Sequence, residues 1–305
     1  MDAHTAGCPV LGIRWTYLNI EEIRKKILGK GIKVCRQVVY RLLLKADLGK
    51  RKMSKDKVMK EVDGRNEQFE RITGLKRYHL SRGNAVLSID AKKKEFLGSF
   101  YRSGTVFADG KVGCYDHDFN SFATGKIVPQ GIYDLGKNEG YMFIGTSGDT
   151  AEFSAECTRR WWNKNGCNKY DQAQPILVLC DGGGSNSSRS GLFKEQVQQL
   201  ANELGLKFNI AHYPPYCSKY NPIEHRLFPT VTRSWDGIML DSAQTAKKLL
   251  DQRNTDLKSG LKIETQVIYK SFLTEKKTAE DFHETYSIKD DKINPKWNYR
   301  ITPAN

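Results

Sequence analysis

The chain has 305 residues, 39% of them hydrophobic, and 49 Lys+Arg against 35 Asp+Glu give a formal net charge of +14. That length suits one large domain or two smaller ones with a buried core, and no run of eighteen apolar residues is present to form a membrane-spanning helix. The seven cysteines are odd in number and never spaced C-x-x-C, and the first residues lack the basic and apolar regions of a signal peptide, so a disulfide framework, a cysteine zinc site and a secretory leader are all disfavoured.

The charge is unevenly spread. Residues 1–80 carry 19 Lys+Arg and 9 Asp+Glu, so +10 of the +14 lies there, and the remaining chain is nearly neutral at +4. Blocks of this sign meet polyanions or serve as solubilising surface. Local pattern favours the first. Asn19-Ile20-Glu21-Glu22 reads as an N-cap with a Glu three residues later, followed by Ile20, Ile23, Ile27 and Leu28 at helical spacing. Gly29-Lys30-Gly31 breaks that helix. A second begins near Cys35, with Val38, Val39, Leu42 and Leu43 on one face and Arg36, Gln37, Tyr40, Arg41 and Lys45 on the other. Two short amphipathic helices joined by a glycine turn fit a helix-turn-helix over residues 1–50, whose second helix would lie in the major groove. No preceding helix is evident in residues 1–18. Arg51 and Lys52 extend the basic face, and residues 51–80 read as a basic linker.

From Asn84 the pattern turns to strands. Ala85 to Asp90 is an apolar run ending in an acid, and Glu95 to Tyr101 could pair with it. Gly131 to Leu135 and Tyr141 to Gly145 follow, with Asn138-Glu139-Gly140 as their turn. Asp149-Thr150-Ala151-Glu152 opens a helix through Trp161 and Trp162, which most simply pack in a core. Pro175 to Asp181 is a buried-looking strand that again ends in an acid. A helix over Leu192 to Leu204 and a strand over Lys207 to His212 come next. This order predicts an α/β domain over residues 81–274, a ribonuclease H-like mixed sheet with flanking helices. Residues 275–305 read as a tail docked by Trp297 and Tyr299.

Three acids fall at meaningful places. Asp90 and Asp181 end strands, where open α/β sheets gather their ligand sites. Glu224 falls at the third position of a helix begun by Asn221 as N-cap and Pro222 at its first position, so it could equally complete a capping box. Singly each acid reads as structural. Together they form a hard-oxygen set suited to two Mg²⁺ or Mn²⁺ ions in phosphodiester chemistry. Gly182-Gly183-Gly184 lacks the spacing of a nucleotide-binding loop and reads either as a turn admitting DNA backbone or as a plain connection. Lys92 and Lys219 border the acids, where cations could hold phosphates or simply face water. His225 could orient a water or a phosphate, or be an ordinary surface histidine, and Asp116-His117-Asp118 reads as a structural turn.

These blocks resemble the DDE transposases of insertion sequences, specifically the ISAzo-thirteen family, also called the Rhodopirellula-type transposase DDE domain. The resemblance rests on Leu87-Ser88-Ile89-Asp90-Ala91-Lys92-Lys93-Lys94-Glu95, Tyr115-Asp116-His117-Asp118-Phe119, Asp149-Thr150-Ala151-Glu152-Phe153, Asp181-Gly182-Gly183-Gly184-Ser185-Asn186 and Ile223-Glu224-His225-Arg226-Leu227-Phe228, closing with Lys296-Trp297-Asn298-Tyr299. It implies a ribonuclease H-like fold with Asp90, Asp181 and Glu224 as metal-binding catalytic triad, supported by His225 and Asn186. It also implies double-stranded DNA as partner, a homo-oligomer on paired ends, two Mg²⁺ ions with no nucleotide cofactor, and action in a prokaryotic cytoplasm at the nucleoid. The implied reaction cleaves inverted repeats and joins 3′-OH ends to target DNA. Family chains usually extend further at the N-terminus, so the helix-turn-helix portion is expected to be truncated. Pro229 falls within the expected catalytic helix, where proline costs about 3 kcal/mol or kinks it. The alternatives are an inactive or domesticated DNA-binding protein, and a nuclease of the same fold that cleaves without joining.

Overall fold

The computed structural model describes residues 5–8, 13–51, 62–183, 186–256, 258–272 and 286–304. Contacts divide the chain into two units, Met1–Val58 and Met59–Asn305. Lys52, Gly184, Ser185 and the stretch 275–285 of the expected tail lie outside the described residues.

In the first unit, β1 (Thr5–Cys8) and β2 (Ile13–Thr16) form an antiparallel ribbon where no helix was evident. α1 (Ile20–Leu28) starts with the expected capping box: Glu22 N–H donates to Asn19 Oδ1 at 2.9 Å, and Asn19 N–H donates to Glu22 Oε2 at 2.6 Å. Gly31, with φ of 81°, makes the turn that an L side chain would resist. α2 (Arg36–Lys45) packs against α1 and buries Val39, while α1 buries Ile23. Leu42 is 51% exposed and does not join the packing face expected for it. A short helix against a single short partner buries only a narrow stripe.

The second unit opens with α3 (Arg65–Ser81), so the stretch expected as linker ends in a 17-residue helix. Its buried positions Gln68, Ile72 and His79 recur at helical spacing, but two of the three are polar. Gln68 Nε2 donates to His212 O and to Asn298 Oδ1, both at 2.8 Å, and Asn209 Nδ2 donates to His79 Nε2 at 3.0 Å. Hydrogen bonds thus satisfy a face that hydropathy does not reveal.

The strands are β3 (Val86–Ala91), β4 (Glu95–Leu97), β5 (Gly125–Asp134) and β6 (Glu139–Gly145). After α4 (Ala151–Lys164) come β7 (Ile176–Cys180), α5 (Gly191–Leu204) and β8 (Phe208–His212). Three short helices follow, α6 (Pro222–Arg226), α7 (Phe228–Trp235) and α8 (Ala243–Asp251), then β9 (Thr255–Asp256), β10 (Leu261–Ile268), β11 (Ser287–Asp290) and β12 (Asn298–Thr302). The sheet runs β11-β12-β8-β7-β3-β5-β6-β10-β9. β3 is parallel to β7, β7 to β8 and β6 to β10, while β5 lies antiparallel between β3 and β6. In chain order the central five strands lie 3-2-1-4-5 with the second reversed, which is the ribonuclease H-like arrangement. β4 pairs with β5 through Glu95↔Ile127 and not with β3, because it continues along the edge of β5 that β3 occupies: the β3 ladder ends at Ala91↔Gln130, and Lys92 N–H still donates to Pro129 O at 2.8 Å. The tail completes the sheet: β12 is antiparallel to β8 and β11 to β12.

Strand alternation sorts the core. Leu87, Ile89, Val178, Cys180, Phe208 and Ile210 point to the side covered by α4 and α5, where Trp161 and Trp162 are buried. The opposite side carries α3 against Val86, Leu177 and Leu179, and α6 to α8 against Met142 and Ile144. Pro229 does not interrupt a helix. α6 ends at Arg226 and α7 begins at Phe228, which puts Pro229 in the first turn of α7, where a missing N–H costs nothing. Among the described residues, no helix is long and apolar enough to cross a membrane.

Candidate active site

Period-two alternation decides which acids can meet. Ser88 and Asp90 on β3 share a face, and Leu177, Leu179 and then Asp181 share the same face one strand away. The β3–β7 ladder ends at Ser88↔Leu179, and continuing its register by two residues sets Asp90 level with Asp181. Both acids therefore lie where two parallel strands splay at their C-terminal ends.

α6 brings the third acid to that face. Ser88 Oγ donates to Asn221 Oδ1 and accepts from Ile223 N–H at 3.0 Å, and Asn221 Nδ2 reaches Ile89 O at 3.4 Å. Asn221 precedes the helix as expected, but its side chain makes no capping bond within it; Ser88 caps α6 in its place. Gly131, paired with Asp90 across the β3–β5 ladder, makes room for the helix. A Cβ there would lie 2.7 Å from Ile223 Cδ1 and 2.8 Å from Phe228 Cε1.

Electrostatics tie the acids together. Asp90 is 9% exposed, and its Oδ1 accepts from the Ala91 N–H at 2.8 Å. Burial, then the charges of Asp181 and Glu224, push its carboxyl up to about 8. Burial also raises Asp181, against the Gly183 N–H that donates to it, and Asp149 adds to the rise. Glu224 is raised by burial and by Asp181, and lowered by His225 and Lys92. Asp149 is the member that sequence reasoning missed. It follows β6 at the same sheet edge, immediately before Thr150, the N-cap of α4, and its charge acts on both Asp90 and Asp181. Its Oδ1 is buried with no hydrogen-bond partner. In the sequence it stands only in the run that opens a helix, and only the parallel run of β3 and β6 reveals the shared edge.

Among the described residues, no three His, Cys, Asp or Glu side chains are drawn close enough to enclose a metal ion. The acids are neighbours in one field without forming a closed shell, and mutual repulsion opposes a tighter approach. The donor chemistry nonetheless fits a hard divalent cation. All donors are carboxylate oxygens, burial and like charge raise Asp90, Asp181 and Glu224 alike, and one oxygen of Asp149 is buried without a hydrogen-bond partner.

The other expected residues scatter. Lys92 Nζ pairs with Glu95 Oε1 at 2.8 Å and stands 5.4 Å over the Trp235 ring, so it acts inside the fold as counter-charge to Glu224. Lys219 is exposed, with Nζ 5.1 Å over the Tyr220 ring. His225 is exposed on α6 and its Nε2 bonds the Lys219 carbonyl. Asn186 is 2% exposed and lines, with Cys180, Ala151 and Phe193, a cavity of about 20 Å³ on the α4–α5 side. In the first unit Arg36, Gln37, Tyr40, Arg41 and Lys45 all lie exposed on α2, and Arg51 is exposed beside Asp47.

Three solved structures share a distant likeness. The Mos1 transposase paired-end complex with left transposon end is 18% identical with a TM-score of 0.43, over 75% of this chain and 66% of that one. A pre-cleavage Mos1 transpososome is 17% identical with a TM-score of 0.42, over 81% of this chain and 72% of that one. The catalytic domain of Mos1 mariner transposase is 16% identical with a TM-score of 0.38, over 64% of this chain and 84% of that one. The chain thus spans just under two thirds of the first of these, and such values carry no chemistry across. No curated protein matches. The family described as Rhodopirellula transposase DDE domain matches residues 1–303, and the chain belongs to that family.

Proposed function

We propose that this transposase binds the terminal inverted repeats of an insertion sequence, cleaves them and joins the freed 3′-OH ends to target DNA. Asp90, Asp181 and Glu224 would hold two Mg²⁺ or Mn²⁺ ions, with Asp149 beside them. Such ions supply charge stabilisation at the attacking and leaving oxygens of a phosphodiester. The chain's own residues set the geometry: β3 and β7 present two acids level with each other, and Ser88 fixes the start of the helix that presents the third. Lys92 balances Glu224 from within, and the exposed basic face of α2 offers contacts to the DNA backbone and groove. Paired ends call for more than one copy of the chain, acting at the nucleoid.

The observation that carries this reading is the placing of three acids at one sheet edge: the β3–β7 register sets Asp90 level with Asp181, and the Ser88 bonds to Asn221 and Ile223 bring the start of α6, with Glu224, to the same face. Pro229, which favoured an inactive protein while it stood inside one helix, no longer does so in the first turn of α7. The test is cleavage of inverted-repeat DNA by purified protein with Mg²⁺ or Mn²⁺. Asp181→Ala should abolish cutting while DNA binding persists. Binding with no cleavage in either metal would overturn the enzyme reading, and cleavage with no joined product would favour a nuclease.

A further inference from the structure

Asp181 is the least anchored of the three acids along its own chain. β7 ends at Cys180, the last rung of the β7–β8 ladder is Cys180↔His212, and Gly182 and Gly183 follow Asp181. Two glycines impose little conformation on the residue before them. The Asp181 carbonyl has left the sheet, yet it has a partner: His212 Nδ1 lies 3.1 Å from it, and 3.3 Å from Cys180 Sγ. A carbonyl only accepts, so Nδ1 carries the proton and Nε2 does not. Nε2 then accepts from the Tyr299 hydroxyl at 2.9 Å.

The far end of this chain of bonds is rigid. Tyr299 sits on β12, opposite Ile210 of β8. His212 N–H donates to Trp297 O at 2.9 Å, and the His212 carbonyl accepts from Gln68 Nε2 at 2.8 Å. Gln68 and Asn298 exchange amide bonds of 2.8 and 2.7 Å, so α3 and β12 grip the same residue from both sides. His212 is 0% exposed and Tyr299 3%, in surroundings where each polar atom needs a partner.

We propose that His212 and Tyr299 are positioning residues for Asp181: the Tyr299 hydroxyl bonds Nε2 and holds the ring in orientation, and the imidazole Nδ1–H holds the Asp181 main chain where the sheet no longer does. The C-terminal strand thereby acts on the site without reaching it. This rests on the reading of Asp181 as a metal ligand only for its consequence; the tether itself does not need metal. Outer partners that orient ligands are worth about 10–100-fold in metal affinity.

The test uses two amides of equal polarity. In His212→Asn the side-chain N–H falls where Nδ1–H was; in His212→Gln it falls where Nε2 was. Two readouts apply to the full chain: Mn²⁺ binding followed by loss of the free-ion paramagnetic signal, and metal-free hydrogen exchange of the peptide spanning 178–190. His212→Gln should bind Mn²⁺ about 10-fold or more weakly and exchange faster over that peptide, while His212→Asn stays within about 3-fold of wild type. Tyr299→Phe, which keeps the ring packing, should shift both readouts in the same direction by less, and it decides the matter if the His212 variants do not fold. Equal behaviour of the Asn and Gln variants, or a Tyr299→Phe variant identical to wild type in both readouts, would overturn the assignment. If wild type and Asp181→Ala both fail to bind Mn²⁺, the metal-ligand reading fails, and hydrogen exchange alone still judges the tether.

Discussion

Ser88 and Ile223 join the two acid-bearing elements: the Ser88 hydroxyl on β3 accepts the Ile223 N–H of α6 at 3.0 Å while donating to Asn221 Oδ1. Asp90 stands two residues beyond Ser88, and Glu224 one beyond Ile223. The strand that carries one acid is thus the N-cap of the helix that carries another. Ser88→Ala would leave a buried N–H and a buried amide oxygen without this partner, a loss of about 1–3 kcal/mol. The expected result is a lower denaturation midpoint with an unchanged m-value. Cleavage should fall further than stability explains, because Glu224 loses its registry with Asp90. Thermal unfolding and cleavage measured well below the melting temperature separate the two effects. A variant destabilised but fully active would show that α6 is held by packing alone.

His79 predicts an acid-sensitive contact at the opposite end of the sheet from the acids. Arg300 Nε donates to Asn209 Oδ1 at 2.8 Å, which commits the Asn209 amide nitrogen to donate to His79 Nε2. That ring nitrogen must stay unprotonated for the bond to exist. Burial and the charges of Arg300 and Arg82 lower the ring to about 4, against a partial pull upward from the Pro175 carbonyl. The folded value lies below the unfolded one of about 6.5, so the unfolded chain binds more protons between them and stability rises with pH. The contribution is complete above about 6.5 and is lost as pH falls toward 4. Between pH 7 and pH 5 this amounts to about 2 kcal/mol. Urea denaturation of wild type and His79→Gln at the two pH values should show the stability difference shrinking by that amount on acidification. A difference independent of pH would refute the assignment of this burden to His79.

The sheet and two of the acids are readable in the sequence for a physical reason. Buried parallel strands are near-continuous apolar runs, so Val86 to Ile89 and Ile176 to Cys180 announce themselves, and the first polar residue after each marks the strand end. What escaped reading depends on partners distant along the chain. α3 was hidden because its inward face is Gln68 and His79, whose burial is tolerable only through Asn298 and Asn209. Asn221 looked like a cap because its type and position fit one, yet Ser88, 133 residues away, holds that place. Pro229 looked like damage to one helix because the break at Leu227 leaves no mark in composition. Asp149 has no local sign of proximity to Asp90, since that follows from the antiparallel β5 lying between two parallel strands.

Asp90 itself sets function against stability. Its carboxyl is pushed up to about 8 by burial and by Asp181 and Glu224, so the folded chain holds this proton more tightly than the unfolded one. With the folded value raised, the contribution of this group to stability is fully present below about 4 and is lost as pH rises toward 8. Neutral pH therefore finds the metal-free site under strain that a neutral isostere would relieve. Asp90→Asn should raise the stability of the chelator-treated protein, on the order of 2 kcal/mol at pH 7, while abolishing cleavage. Adding Mn²⁺ should reverse the ranking. Wild type gains RT ln(1 + [L]/Kd), about 2.7 kcal/mol at a hundredfold excess over Kd, and Asp90→Asn gains little. Thermal denaturation of both proteins in chelator and in Mn²⁺ reads all four values. An Asp90→Asn variant less stable than wild type in chelator would mean that the Ala91 N–H and the packing around the carboxyl outweigh the cost of holding it protonated at pH 7.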